Sequence, residues 1–211
     1  PGGRIGSVTG FSRPGTKDDK WSYEATMASL PILSVTPEHY NRMYRILKRG
    51  LPVKVEVEVR TRVGKEREMA NNLVGEIPGT DLKDEVVIIG AHFDTWHASP
   101  SPSDDGAACA VALEAARILK AIGAKPRRTI RVAWWGGEEQ GLYGSGEYVK
   151  KHFGNPRDPA IGKKPGYEKF SAYFNMDYGA GAFRGIYLQG NEKARRMIAA
   201  WIAPFRDMGC W

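Results

Sequence analysis

Strand-length apolar runs, separated by helix-forming stretches, set what this chain can fold into. Residues 86–91 form a continuous apolar strand, 106–122 are Ala-rich and helical, and 129–135 are again a strand. Residues 141–151 can form a helix, 172–177 a strand, 186–189 a further strand, and 192–205 an amphipathic helix. Apolar strands alternating with helices over this length predict an α/β fold, a largely parallel mixed sheet with helices on both faces. Upstream, Val alternates with Lys, Glu or Arg over 53–63, the period-two pattern of a half-exposed strand, and 72–77 supplies another strand before the turn at Pro78-Gly79. Thr36-Pro37-Glu38 gives an N-cap, a proline at the first helical position and an early acid, so a short helix runs from there to near Gly50. The first 35 or so residues are rich in Gly, Pro, Ser and Thr and read as loops around short strands at 5–9 and 30–34.

Composition narrows the function classes. The 211 residues, 42% of them hydrophobic, suffice for one α/β domain and a smaller piece. No stretch approaches the roughly 18 uninterrupted apolar residues of a membrane span. The N-terminal Pro1-Gly2-Gly3-Arg4 shows no charged-then-apolar leader, so a removed signal or a longer precursor is expected. The net charge of +7 is spread from Arg4 to Arg206 with acids interleaved, and no basic stripe predicts nucleic-acid binding. Cys109 and Cys210 lack the spacing of a zinc knuckle or redox pair, and Cys109 reads as a small hydrophobe within a helix.

Chemistry gathers where the strands stop. In an open α/β sheet, ligands bind beyond the carboxyl ends of the strands. The run 86–91 passes into His92-Phe93-Asp94, 129–135 into Gly136-Gly137-Glu138-Glu139, and 172–175 into Asp177, while Asp104-Asp105-Gly106 precedes the long helix. Each is commonplace alone: Asp-Asp-Gly is usually a turn, and Glu-Glu a solvated face. Together, in this order at successive strand ends, they form a nitrogen-and-oxygen ligand set that suits zinc in an open catalytic site. A carboxylate such as Asp104 could bridge two cations about 3.5–4 Å apart, while one of Glu138 and Glu139 binds metal and the other accepts a proton. His39 reads as a solvated first-turn residue.

The runs Val87-Ile88-Ile89-Gly90-Ala91-His92-Phe93-Asp94-Thr95-Trp96, Ser103-Asp104-Asp105-Gly106-Ala107 and Trp135-Gly136-Gly137-Glu138-Glu139-Gln140-Gly141-Leu142-Tyr143-Gly144-Ser145 resemble metallopeptidase family 28. That family includes zinc aminopeptidases and the plasma glutamate carboxypeptidase group, and the resemblance runs from about Asn72 onward. It implies that His92 and Asp177 hold one zinc, Asp104 bridges, Glu139 serves the second zinc, and Glu138 is the general base. It further implies that Asp94 orients the His92 imidazole, that Asp105 sits behind the ligands, and that the Asp104–Asp105 peptide is cis. Residues 1–62 resemble part of a protease-associated insert ahead of a catalytic domain over 63–211.

The family also takes a histidine for its second zinc from a later strand or loop, and no histidine follows Asp177. His97 and His152 precede it, so a C-terminal portion or a second chain is expected to supply that ligand, with self-association a further expectation. The implied activity is zinc-dependent removal of a terminal residue from a small peptide, as an aminopeptidase or dipeptidase, in a secreted or periplasmic setting. A non-catalytic binding protein and a glutaminyl cyclase-like acyltransferase are the alternatives.

Overall fold

The computed structural model describes residues 35–58, 60, 69–96, 99–100, 102–155, 158, 160–177 and 181–210. The expected strands at 5–9 and 30–34, most of the insert-like segment and His97 lie outside them. Helix α1, Pro37–Lys48, starts as its sequence predicts: Thr36 is extended, and its Oγ1 accepts from the His39 amide at 3.4 Å.

A four-stranded sheet forms the body of the chain. Its strands are β1 (Leu73–Ile77), β2 (Leu82–His92), β3 (Arg128–Trp135) and β6 (Phe170–Asn175), in the order β1-β3-β2-β6. β2 runs parallel to both β3 and β6, and only β1 is antiparallel, so the α/β mixed sheet is largely parallel as expected. Helix α2, Ala107–Ala121, connects β2 to β3, and helix α3, Tyr143–His152, follows β3. A small hairpin of β4 (Gly154–Asn155) and β5 (Gly162–Lys163) precedes β6.

The core follows from strand alternation. Val86 and Ile88 of β2 cluster with Ala133 and Trp135 of β3, and Phe153 with Tyr148 of α3 closes over them. Val87, Ile89 and Ala91 alternate to the other side of the sheet. Helix α2 contacts both β2 and β3 and buries Ala108 and Ala112. Small side chains let a helix approach closely, which explains the Ala-rich stretch.

Two expected strands are corrected. The described residues 53–58 are not in a strand, nor are 186–189. Alternation describes one strand at a time, whereas a ladder needs a neighbour, and among the described residues neither segment has one. The expected helix over 192–205 divides into a 3₁₀ turn at Glu192–Ala194, helix α4 at Arg195–Ile202, and a 3₁₀ stretch at Ala203–Met208 whose second residue is Pro204. Proline lacks the amide that would continue an α-helical ladder.

Candidate metal centre

β2 and β3 end level with each other, His92 opposite Trp135, and β6 ends two residues earlier with Asn175 opposite Gly90. The polar residues that follow each strand therefore converge. His92 is 2% exposed, so its imidazole is fixed inside the protein rather than solvated. Its Nε2 lies 3.0 Å from Asp104 Oδ1, 3.5 Å from Asp177 Oδ1 and 3.8 Å from Glu138 Oε2. Donor atoms of His92, Asp104 and Asp177 all fall within 4.8 Å of one another. Asp104 and Asp105 occupy a kinked turn joined by a cis peptide bond.

Asp105 is 1% exposed, and its Oδ2 accepts the His92 backbone N–H at 3.2 Å. It thus braces the strand end from behind. The Cys109 thiol donates to the His92 carbonyl at 3.1 Å, a hydrogen bond the small-hydrophobe view of this residue did not include. Burial pushes that thiol up to about 11, so it remains a thiol at neutral pH.

Asp94 acts differently from a simple imidazole orienter. Its carboxylate accepts two backbone N–H groups, Glu138 at 3.1 Å through Oδ1 and Glu139 at 3.2 Å through Oδ2. The His92 Nδ1 lies 3.0 Å from the Asp94 carbonyl oxygen and 3.5 Å from its Oδ1. The backbone of Asp94 is thus the nearer partner of the imidazole, while its side chain ties β2 to the glutamate pair. Asn72 adds a second tie that the sequence did not reveal: its Oδ1 accepts Gly136 N–H at 3.1 Å, and its Nδ2 donates to Gly144 O at 2.9 Å.

Crowded carboxylates alter each other's protonation. Burial, then Asp104, pushes Glu139 up to about 7, and burial pushes Asp105 up to about 6. Glu138 and Asp177 are raised above the usual carboxylate range, again by burial first, with His92 opposing. Burial would lower His92, but the carboxylates of Glu138, Asp177 and Asp105 outweigh it and raise its pKa. One oxygen of Glu139, Oε1, is buried without a hydrogen-bond partner.

Among the described residues, the other histidines, His39 and His152, are not part of this cluster. His152 packs against Tyr148 with ring centroids 4.4 Å apart and the rings tilted by 35°. His39 supplies a backbone amide to the Thr36 cap.

The sequence profile of peptidase family M28 matches residues 72–208. The chain belongs to that family. Carboxypeptidase Q of Mus musculus is 28% identical over 194 residues, spanning 92% of this chain and 39% of that protein. Leupeptin-inactivating enzyme 1 of Streptomyces exfoliatus is 35% identical over 106 residues, half of this chain and 22% of the other. The crystal structure of a peptidase M28 precursor from Shewanella amazonensis SB2B superposes with a TM-score of 0.59 at 26% identity, covering 87% of this chain and 39% of that one. The chain thus spans about two fifths of the length of these carboxypeptidase Q and M28 precursor relatives. Among the described residues, no helix of this family member is long and apolar enough to cross a membrane.

Proposed function

We propose that this chain is the catalytic part of a zinc-dependent exopeptidase, an aminopeptidase or dipeptidase acting on small peptides. The observation that carries this reading is the meeting of His92, Asp104 and Asp177 donor atoms within 4.8 Å at the strand ends. One imidazole nitrogen and two carboxylate oxygens form a ligand set that leaves room for a water or substrate on zinc. Two further observations support a cation there. Burial first, then neighbouring carboxylates, raises Glu138, Glu139 and Asp177, and a nearby cation would let them ionise together. The unpartnered buried Glu139 Oε1 is an acceptor in need of a donor or a metal.

On this reading His92, Asp104 and Asp177 would hold one ion, and Asp104 with Glu139 would hold a second. When bound, zinc supplies Lewis-acid polarisation of the peptide carbonyl and lowers the pKa of water from 15.7 toward about 7. Glu138 takes the proton of the attacking water and returns it to the leaving amine nitrogen. Asp94 keeps Glu138 in reach by gripping its amide, and Asp105 holds the His92 backbone in place. The setting is secreted or periplasmic, and the partner is a small peptide rather than nucleic acid or a membrane. Residues 1–62 are part of an insert and 63–211 belong to the catalytic domain.

Glu138→Gln in the full-length protein tests this. Zinc content by elemental analysis should stay near that of the unmutated protein, while hydrolysis of aminoacyl-p-nitroanilides and dipeptides falls by at least about 10²-fold. Zinc lost in step with activity would make Glu138 a ligand instead. An unmutated protein that binds no zinc and cleaves neither substrate would overturn the reading.

A further inference from the structure

We propose that Tyr173 is a positioning residue for the metal-binding strand ends: its hydroxyl ties β3 to β6 across β2 and so fixes Asp177 opposite His92. The proposal rests on the metal reading above, but the residue and its contacts lie outside the ligand set. Trp135 Nε1–H donates to Tyr173 Oη at 2.7 Å, and Tyr173 O–H donates to Asn175 Oδ1 at 2.5 Å. These three residues stand on different strands or strand positions, yet one hydroxyl joins them.

The register explains how. Tyr173 pairs with Ile88, Asn175 with Gly90, and Trp135 with His92. Alternation puts residues 88, 90 and 92 of β2 on one face, with 135, 173 and 175 beside them, and two residues past Asn175 comes Asp177. The Tyr173 side chain therefore crosses the central strand diagonally, and Gly90 is the residue it crosses. A Cβ at Gly90 would stand 2.4 Å from Tyr173 Oη and 2.5 Å from its Cε2, so only glycine leaves the passage open. The Trp135 and Tyr173 rings meet edge-on, with centroids 6.3 Å apart.

The end of β6 depends on such a tie. Past Asn175, among the described residues, its ladder to β2 continues through Met176 N–H to Gly90 O alone, at 3.2 Å. Among the described residues β6 has a strand partner on one side alone. Burial pushes the Tyr173 hydroxyl up to about 12, with Asp177 and Asp105 adding to the rise against the Trp135 hydrogen bond. It remains a protonated donor at any pH at which the protein would work, and it lies within electrostatic reach of the carboxylates it would help to hold.

Tyr173→Phe in the full-length protein removes the hydroxyl and keeps the ring. Three measurements should move together: faster hydrogen exchange at the Met176 amide in metal-free protein, about tenfold weaker zinc binding in competition with a chromophoric chelator, and a shifted visible spectrum of the cobalt(II)-substituted site. Unchanged exchange at Met176 would overturn the proposal, as would faster exchange with unaltered zinc affinity and cobalt spectrum. If the unmutated protein binds no zinc, the metal reading falls, and Met176 exchange alone decides whether Tyr173 holds the strand end. Asn175→Ala removes the acceptor at an exposed position and carries the test should Tyr173→Phe fail to fold. The double variant should be no worse than Tyr173→Phe alone, because losing the hydroxyl already removes the bond to Asn175 along with the one from Trp135; additive losses would overturn the shared tie.

Discussion

At the end of β3 the backbone is gripped from several directions, whereas among the described residues the end of β6 is held by little. Gly136 N–H is bound by Asn72, Gly144 N–H donates back to Gly136 O at 2.9 Å, and Tyr143 N–H donates to Gly137 O at 3.1 Å. The Glu138 carbonyl accepts Gly141 and Leu142 N–H, while Asp94 receives the amides of Glu138 and Glu139. Beyond β6, one ladder bond at Met176 and the Tyr173 tie precede Asp177. The two ends deliver carboxylates to one place by different means. Glu138 and Glu139 inherit their position from the fold itself, so damage there should register as lost stability. Asp177 inherits its position from a few local bonds, so damage there should register as lost metal affinity with the fold kept.

Gly144→Ala should break the well-held end and have the largest effect. The added Cβ would lie 2.3 Å from Asn72 Oδ1 and 2.3 Å from Gly136 O, and the backbone carbonyl cannot swing aside as a flexible side chain could. A loss of about 3 kcal/mol or more is expected, since the substitution combines overpacking with a broken, part-buried hydrogen-bond network. That corresponds to a thermal midpoint lower by roughly 6–12 °C for a chain of this size. A midpoint within about 2 °C of the unmutated protein would show that this end is no better held than the other.

The contrast also marks what could be read from residues alone. The apolar runs around Val86 and Ile130 announced their strands, because buried parallel strands are apolar on both sides, and the shorter run around Phe174 announced an edge strand with no buried residue. The polar residues after each run announced the site, because strand ends in such a sheet face one edge. Asn72 gave no such sign: it binds residues 64 and 72 positions away, and an asparagine before a strand otherwise reads as a turn residue. Tyr173 read as one more strand aromatic, and only the register over Gly90 gives its hydroxyl a role. The segment 186–189 carries strand-like residues, yet pairing depends on what lies beside it, which spacing along one chain does not encode.

Acidity offers a smaller perturbation that acts on both ends at once. Glu139 on the β3 side is raised from 4.5 to about 7, Asp105 from 3.8 to about 6, and Asp177 on the β6 side in the same direction. In the metal-free protein the folded state therefore holds more protons than the unfolded state between those limits, and stability falls as pH rises. The raised His92 adds to the same trend, since its contribution is present below 6.5 and lost above its folded value. The thermal midpoint of metal-free protein should drop by several degrees from about pH 4.5 to pH 8. Excess zinc should abolish the drop by supplying the missing positive charge. A midpoint that rises over this range without metal would contradict the crowding of carboxylates at the two strand ends.

The smallest effect belongs to a histidine that lies outside both ends. His152 closes α3, where its ring packs against Tyr148 and lies near Phe153. Partial burial lowers its pKa, and Lys151, Arg131 and Lys164 add their repulsion. A lowered imidazole favours the unfolded state once the unfolded chain can take up the proton, so stability is full above the unfolded pKa near 6.5 and declines as pH falls through the folded value. His152→Phe keeps an aromatic ring against Tyr148 and removes the proton. It should leave the thermal midpoint at pH 8 within about 1 °C, since a partly exposed substitution of similar shape is worth no more than about 0.5 kcal/mol. At pH 5 the variant should be slightly more stable than the unmutated protein, because the cost of charging the imidazole beside three cations has gone. Zinc affinity should not change at either pH. A fall in zinc affinity in this variant would bring His152 into the metal site and undo the separation between α3 and the two strand ends.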